Sequence, residues 1–164
     1  MKDEQTDTGR AQDAPQPSDP LAQAHYQAML DRINRHFWAR DWQALGDCIS
    51  VPNRISSLDA ERVVDTIDEW LELARAARQS FVQVGATEYH RICTEARFDD
   101  AARTRITGAH KTYILRNSSL VLPVYCARMT LAWTDGVWLS SSLFTASRDK
   151  DLPTIHADRV TRRA

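Results

Sequence analysis

Glycine is scarce in this chain of 164 residues: there are five, and none are clustered. A loop that wraps a phosphate in backbone N–H groups needs glycines close together, so a nucleotide-binding loop of that kind is excluded. Cysteine is scarcer still. Cys48, Cys93 and Cys126 are odd in number and far apart, which fits neither a disulfide framework nor a zinc spacing. Reduced, mostly buried thiols are expected instead. No apolar run is long enough to cross a bilayer, so no membrane partner is expected. Clustered basic charge is also missing. The formal net charge is −1, and the one basic run, Arg159, Arg162 and Arg163, lies near the C-terminus. That argues against nucleic acid as the main partner, because phosphate binding needs a concentrated positive field. Met1 to Pro20 is polar and lacks the apolar core of a secretory signal, so a cytoplasmic protein is expected. His25, His36 and His90 form no close-spaced pair, so neither a metal nor a cofactor is expected.

What is present is the composition of one packed domain. Hydrophobic residues make up 43% and charged residues 26%, and there are five tryptophans, enough for a filled interior or an aromatic pocket. Residues 1–18 hold Asp, Gln, Thr and Pro but no aromatic residue, and read as a disordered tail. The domain is expected over 19–147, with a second tail over 148–164. Ser18-Asp19-Pro20 supplies a capping side chain and a proline suited to a first helical turn. A helix follows to about Ala39, with Tyr26, Met29, Leu30, Ile33 and Phe37 on one stripe. Asp41 caps a short second helix. Val51 to Ser57, interrupted by Pro52, reads as an edge strand or extended link. A long helix is expected over about Asp59 to Gln79, with Val63, Ile67, Trp70, Leu71, Ala74 and Ala77 as its apolar side.

After Ser80 the period falls to about two. Runs over 81–98, 102–116, 120–134 and 137–147 read as strands, with Gly85 marking a bend or bulge in the first. The short breaks at Asp99-Asp100, Asn117-Ser118 and Asp135-Gly136 imply an antiparallel meander, and Asp-Gly is a strong hairpin signal. The expectation is an α+β domain whose N-terminal helices pack in a curved antiparallel sheet. Such a sheet curls because strands twist, and closing it with helices leaves a concave space for a small ligand.

This order of elements, with Asp41-Trp42 entering the second helix and Asp135-Gly136-Val137-Trp138 turning into the last strand, resembles the NTF2-like superfamily and its SnoaL-like, polyketide cyclase-like branch. The resemblance covers about residues 20–147. It implies a cone-shaped, cystatin-like fold and commonly a homodimer formed through the outer face of the sheet. It also implies a range of roles, from ketosteroid isomerases, cyclases and dehydratases to the non-catalytic β subunits of ring-hydroxylating dioxygenases. The carboxylate that the isomerases and cyclases place in the pocket has no counterpart in Val51 to Ser57, which contains no acid. Tyr26 lies on the first helix, early relative to Asp41 for the isomerase tyrosine.

Turn register gives a first map of the interior. A two-residue turn at Asp135-Gly136 pairs Trp133 with Trp138, Leu131 with Ser140, Met129 with Ser142 and Ala127 with Phe144, all on one face. A turn at Asn117-Ser118 pairs His110 with Tyr125 and Thr112 with Pro123. His110 then becomes the candidate acid/base and Tyr125 the candidate oxyanion donor. Trp133, Trp138, Phe144, Met129, Thr112 and Tyr26 become candidates to line a site for a small apolar or aromatic molecule. His110 can equally be a core histidine bonded to Tyr125 or to backbone. Cys93 shares its face without an orienting group, and Glu88 and Glu95 read as solvated strand residues. The two functional readings are a pocket protein, with or without isomerase, cyclase or dehydratase chemistry, and a non-catalytic homodimer or companion subunit.

Overall fold

The computed structural model describes residues 17–148 and Asp151. Of the expected tails over 1–18 and 148–164, residues 1–16, 149–150 and 152–164 lie outside the described residues. Among the described residues three helices and seven strands follow one another as α1 (Pro20–Ala39), α2 (Trp42–Gly46), β1 (Ile49–Ser56), β2 (Glu61–Val64), α3 (Ile67–Gln83), β3 (Glu88–Phe98), β4 (Arg105–Arg116), β5 (Ser119–Leu120), β6 (Tyr125–Thr134) and β7 (Val137–Thr145). No described helix is long and apolar enough to cross a membrane.

The first helix has the bounds its pattern implies. Asp19 accepts hydrogen bonds from the backbone N–H groups of Leu21 and Ala22, at 2.8 and 3.1 Å. A cap of this kind is worth about 1 kcal/mol. The segment before it is anchored as well. The Ser18 hydroxyl donates to the Ala96 carbonyl and accepts from the Ala96 N–H, both at 3.0 Å. Tyr26, Met29, Leu30, Ile33 and Phe37 are all buried. Asp41 caps α2 through the N–H of Ala44.

The long helix starts later than expected, at Ile67. Its first expected turns form strand β2, which pairs antiparallel with β1. Arg62-Val63-Val64 suits a strand through its β-branched residues. A turn closed by the bond from the Ser57 N–H to the Ala60 carbonyl folds it back onto β1. The cap is Thr66, whose hydroxyl accepts from the Glu69 N–H at 3.2 Å. At the other end the helix continues through Phe81, which is buried. Gly85, at φ 88°, ends it instead of bending a strand. The Ala86 N–H reaches back to the Phe81 carbonyl there, the closure that a left-handed residue allows.

The strands lie in the order β2-β1-β7-β6-β4-β3, with β5 on β4. The meander β3 to β7 is antiparallel as expected, but β1 runs parallel to β7. The sheet is therefore mixed, and β1 is an internal strand with β2 outside it. Hairpins announce themselves through turn residues, whereas a pairing across roughly ninety residues has no local signature. Pro52 sits where the β1–β7 register shifts, between Ile49 and Arg54, the position a residue without an N–H can occupy. The Asn53 side-chain amide bonds the Ser140 carbonyl there, at 2.9 Å.

Both long helices cover one face of the sheet. Helix α1 packs on β3 and β4, and α3 packs on β1 and β2. Between them the sheet curves, and the space at the centre holds the candidate site.

Candidate functional site

The turn at Asn117-Ser118 is real, with both residues at positive φ and Arg116 opposite Ser119. Strand β5 is only two residues long, and the chain leaves the ladder before resuming at Tyr125. That excursion shifts the register by two residues. Thr112 faces Tyr125 and His110 faces Ala127, instead of His110 facing Tyr125. A shift of two preserves which side chains point inward. His110, Thr112 and Tyr125 therefore all line the central cavity, with His110 and Tyr125 diagonal neighbours.

The β6–β7 hairpin contains the opposite case. Trp133 pairs with Trp138 and Leu131 with Ser140, as the Asp-Gly turn requires. Between Thr130 and Leu131 the register then shifts. One extra residue on β7 turns every later side chain over. Met129 faces Leu143, not Ser142, and Ala127 faces Thr145, not Phe144. Leu143 and Thr145 line the cavity, while Phe144 lies on the outer face beside Ala109, Cys126 and Ala146.

Trp133 and Trp138 meet edge to face at 5.2 Å near the hairpin turn, against His25, away from the cavity. The aromatic wall of the cavity comes from elsewhere. Phe37 of α1, Phe81 of α3 and Tyr89 of β3 form it, with Phe81 stacked on Tyr89 at 5.6 Å and Phe37 5.1 Å from Tyr89. Ile33, Ile55, Leu73 and Met129 add aliphatic surface. The cavity volume, open to the centre of a water-sized sphere, is about 90 Å³. A dry cavity of about 150 Å³ takes up benzene; this one is smaller, so it suits a short aliphatic group as it stands and a ring once its walls move apart.

Tyr26 does not line the cavity; it stands behind His110. Its hydroxyl lies 3.0 Å from the Gly108 carbonyl and 2.7 Å from His110 Nδ1. The carbonyl can only accept, so the phenol proton goes to Gly108. His110 Nδ1 then carries the imidazole proton and donates it to Tyr26. This assignment follows from satisfying both contacts. It leaves Nε2 as a bare acceptor on the cavity wall, and no protein group bonds it. Burial, and next the charge of Arg91, pushes the His110 pKa down to about 2. The ring is therefore a neutral imidazole throughout the physiological range. Burial first, then neighbouring Tyr89, raises the Tyr125 phenol well above its usual value, so it remains a donor. Burial also raises Tyr26.

Two residues of this wall are not among the candidate site residues, Trp70 being read from the sequence only as part of the apolar side of the long helix and Arg91 not at all. Trp70 of α3 faces the cavity, and its Nε1 has no protein partner. Arg91 of β3 lies directly across the ladder from Thr112 and is 5% exposed. A signal for it existed: Tyr89 and Cys93 flank it at strand alternation, so Arg91 shares their inward face. Cys93 itself pairs with His110, but burial raises its pKa, and its thiol contacts the Glu95 carbonyl. That is the setting of a structural thiol and not of a nucleophile. Glu95 is exposed, and Glu88 bonds the Ser118 N–H at the sheet margin. Among the described residues no group of three His, Cys, Asp or Glu side chains could hold a metal ion.

The chain is similar in fold to several solved structures. One is Aln2 from a Streptomyces species, with 18% identity and a TM-score of 0.61, covering 82% of this chain and 96% of that one. Another is an NTF-2 like protein of unknown function from Shewanella oneidensis, with 12% identity and a TM-score of 0.59, over 76% of this chain and 98% of that one. A third is a protein of unknown function with a cystatin-like fold from Nostoc punctiforme, with 8% identity and a TM-score of 0.58, over 80% and 94%. No protein-family model matches the chain, and no curated protein matches it in sequence. At these identities the likeness is one of fold: the domain has the NTF2-like, cystatin-like architecture.

Proposed function

We propose that this NTF2-like domain is a pocket protein that takes a small apolar or aromatic molecule into the cavity between α1, α3 and the sheet. One observation carries the reading. An apolar, aromatic-walled cavity is lined by residues with buried polar atoms that have no hydrogen-bond partner among the described residues, His110 Nε2 and Trp70 Nε1 among them. Unpartnered buried polar atoms are costly in a core and are what a binding site supplies to a ligand.

Binding fits the geometry better than acid/base catalysis. The partner of His110 is a neutral phenol, which does not stabilise an imidazolium as a carboxylate would. An imidazole with a pKa near 2 is a weak base at neutral pH. Isomerase, cyclase or dehydratase chemistry would require a substrate that raises that basicity once bound.

The test uses nuclear magnetic resonance with benzyl alcohol as a neutral aromatic probe. Saturable shifts are expected at the His110 ring and at Thr112. They should be absent in Ala77→Trp, which fills the cavity. Shifts confined to the surface, or unchanged in that variant, would remove the pocket reading.

A second reading, self-association through the outer face of the sheet, is favoured by the β7 bulge that turns Phe144 outward beside Ala109, Cys126 and Ala146. Sedimentation should then show a concentration-dependent dimer that Phe144→Asp abolishes. A wild-type chain that stays monomeric at high concentration would dispose of it.

A further inference from the structure

The cavity wall contains a cation that no described residue neutralises. Arg91 is 5% exposed, and among the described residues it forms no ion pair. Its Nε donates to the Asn34 side-chain carbonyl of α1 at 2.6 Å, and its guanidinium lies 5.7 Å from the Tyr89 ring centre. Those contacts fix the plane of the group. They leave Nη2 buried and without a protein partner, in a side chain that lines the cavity.

A buried charge without a counter-charge is among the costliest features a core can contain, and proteins seldom retain one for stability. Its surroundings add donors and no acid. Thr112 lies across the ladder, its hydroxyl beside the Tyr125 phenol on the same cavity wall. One guanidinium edge with a neighbouring hydroxyl suits the two oxygens of a carboxylate. A single cation balances a single negative charge, which disfavours a phosphate dianion. The rest of the wall is aromatic and aliphatic, and the volume, smaller than a benzene-sized cavity, limits the remainder of the ligand to a short chain or to one ring that spreads the walls.

Resting on the pocket reading above, we infer that the cavity binds a small monocarboxylate, with its carboxylate on Arg91 Nη2 and Thr112 Oγ1 and its apolar body against Phe37, Phe81 and Tyr89. His110 then serves as a neutral acceptor beside the carboxylate, suited to a ligand that also carries a hydroxyl.

Calorimetry with benzoate and hexanoate against their neutral isosteres benzamide and hexanamide tests the charge. Each acid should bind the wild-type protein about 100-fold more tightly than its amide, the discrimination expected of a desolvated charge pair. Arg91→Met should erase the preference by weakening acid binding far more than amide binding, and Arg91→Lys should recover part of it. Arg91→Met should also melt at the same temperature as wild type or higher, because an apolar side chain of similar length replaces an uncompensated buried charge. A framework role would lower it. Equal binding of acid and amide to wild type overturns the inference, as does a preference that survives Arg91→Met or an Arg91→Met protein that no longer folds. If benzyl alcohol binds and both acids fail, the inference falls and the pocket stands. If none of these probes binds, both fall.

Discussion

Gly108→Ala should destabilise the domain by roughly 3 kcal/mol or more, at the top of the range for overpacked cores, and lower its melting temperature by about 10 °C. The methyl group would lie 2.5 to 2.8 Å from three atoms of the Tyr26 ring. That ring cannot swing away. Tyr26 is fully buried, and its hydroxyl is bonded to the Gly108 carbonyl and to His110. The glycine is there because an aromatic face rests on the strand backbone, not because its own conformation demands it. Tyr26→Leu should relieve part of the clash. The double variant should therefore be less destabilised than the sum of the two single changes, because the residues are in direct contact. Urea unfolding of the four proteins measures this, and strict additivity would show that the ring does not rest on Gly108.

Acid should weaken the fold through His110. In the unfolded chain the imidazole takes a proton near its ordinary value of 6.5, whereas in the folded domain it does so only near pH 2. Between those values the unfolded state holds one more proton. Stability therefore falls as the pH falls, by about 1.4 kcal/mol per unit, so that on the order of 3 kcal/mol is lost between about pH 6.5 and 4.5. Above pH 7 the group contributes no slope. The carboxyls of Glu88 and Asp100 also titrate below their ordinary values, the first held by the Ser118 N–H and the second by the Thr104 hydroxyl. His110→Gln retains both of them, so the difference between wild type and variant isolates the imidazole. The variant should lose the slope in that window. Parallel slopes would mean that the folded cavity admits a proton to His110 easily, and the buried neutral ring would have to be abandoned.

These effects meet at one place in the sheet. Gly108 accepts Tyr26, Tyr26 orients His110, and the β3–β4 ladder sets Arg91 beside Thr112 and Cys93 beside His110. The helix that brings Tyr26 to the sheet is capped by Asp19 and tied to β3 through Ser18. The polar part of the wall is thus supported by α1 at both levels.

The turns show how far a local reading extends. Asp135-Gly136 fixed the first pairs of its hairpin, Trp133 with Trp138 and Leu131 with Ser140. By Phe144, farther along β7, the bulge had already moved the side chain to the outer face. At Asn117-Ser118 the turn was again correct, and the chain's departure after Leu120 changed the partner of His110 without changing its face. An odd insertion inverts a strand and an even one does not. Neither leaves a mark in composition. The start of α3 was misplaced because Asp59 and Thr66 can both cap a helix, and only pairing with β1 shows that Arg62-Val63-Val64 is a strand.

By itself the amino-acid sequence determined what depends on neighbours along the chain: α1 with its cap and apolar stripe, the antiparallel meander, and His110, Thr112 and Tyr125 on the inward side. Only the tertiary structure decided the parallel pairing of β1 with β7, the aromatic wall of Phe37, Phe81 and Tyr89, the Tyr26–His110 bond and the burial of Arg91. Capping, turn geometry and strand alternation act over a few residues, so a sequence displays them. Desolvation and the want of a counter-charge exist only once distant segments have closed around a group and excluded water from it.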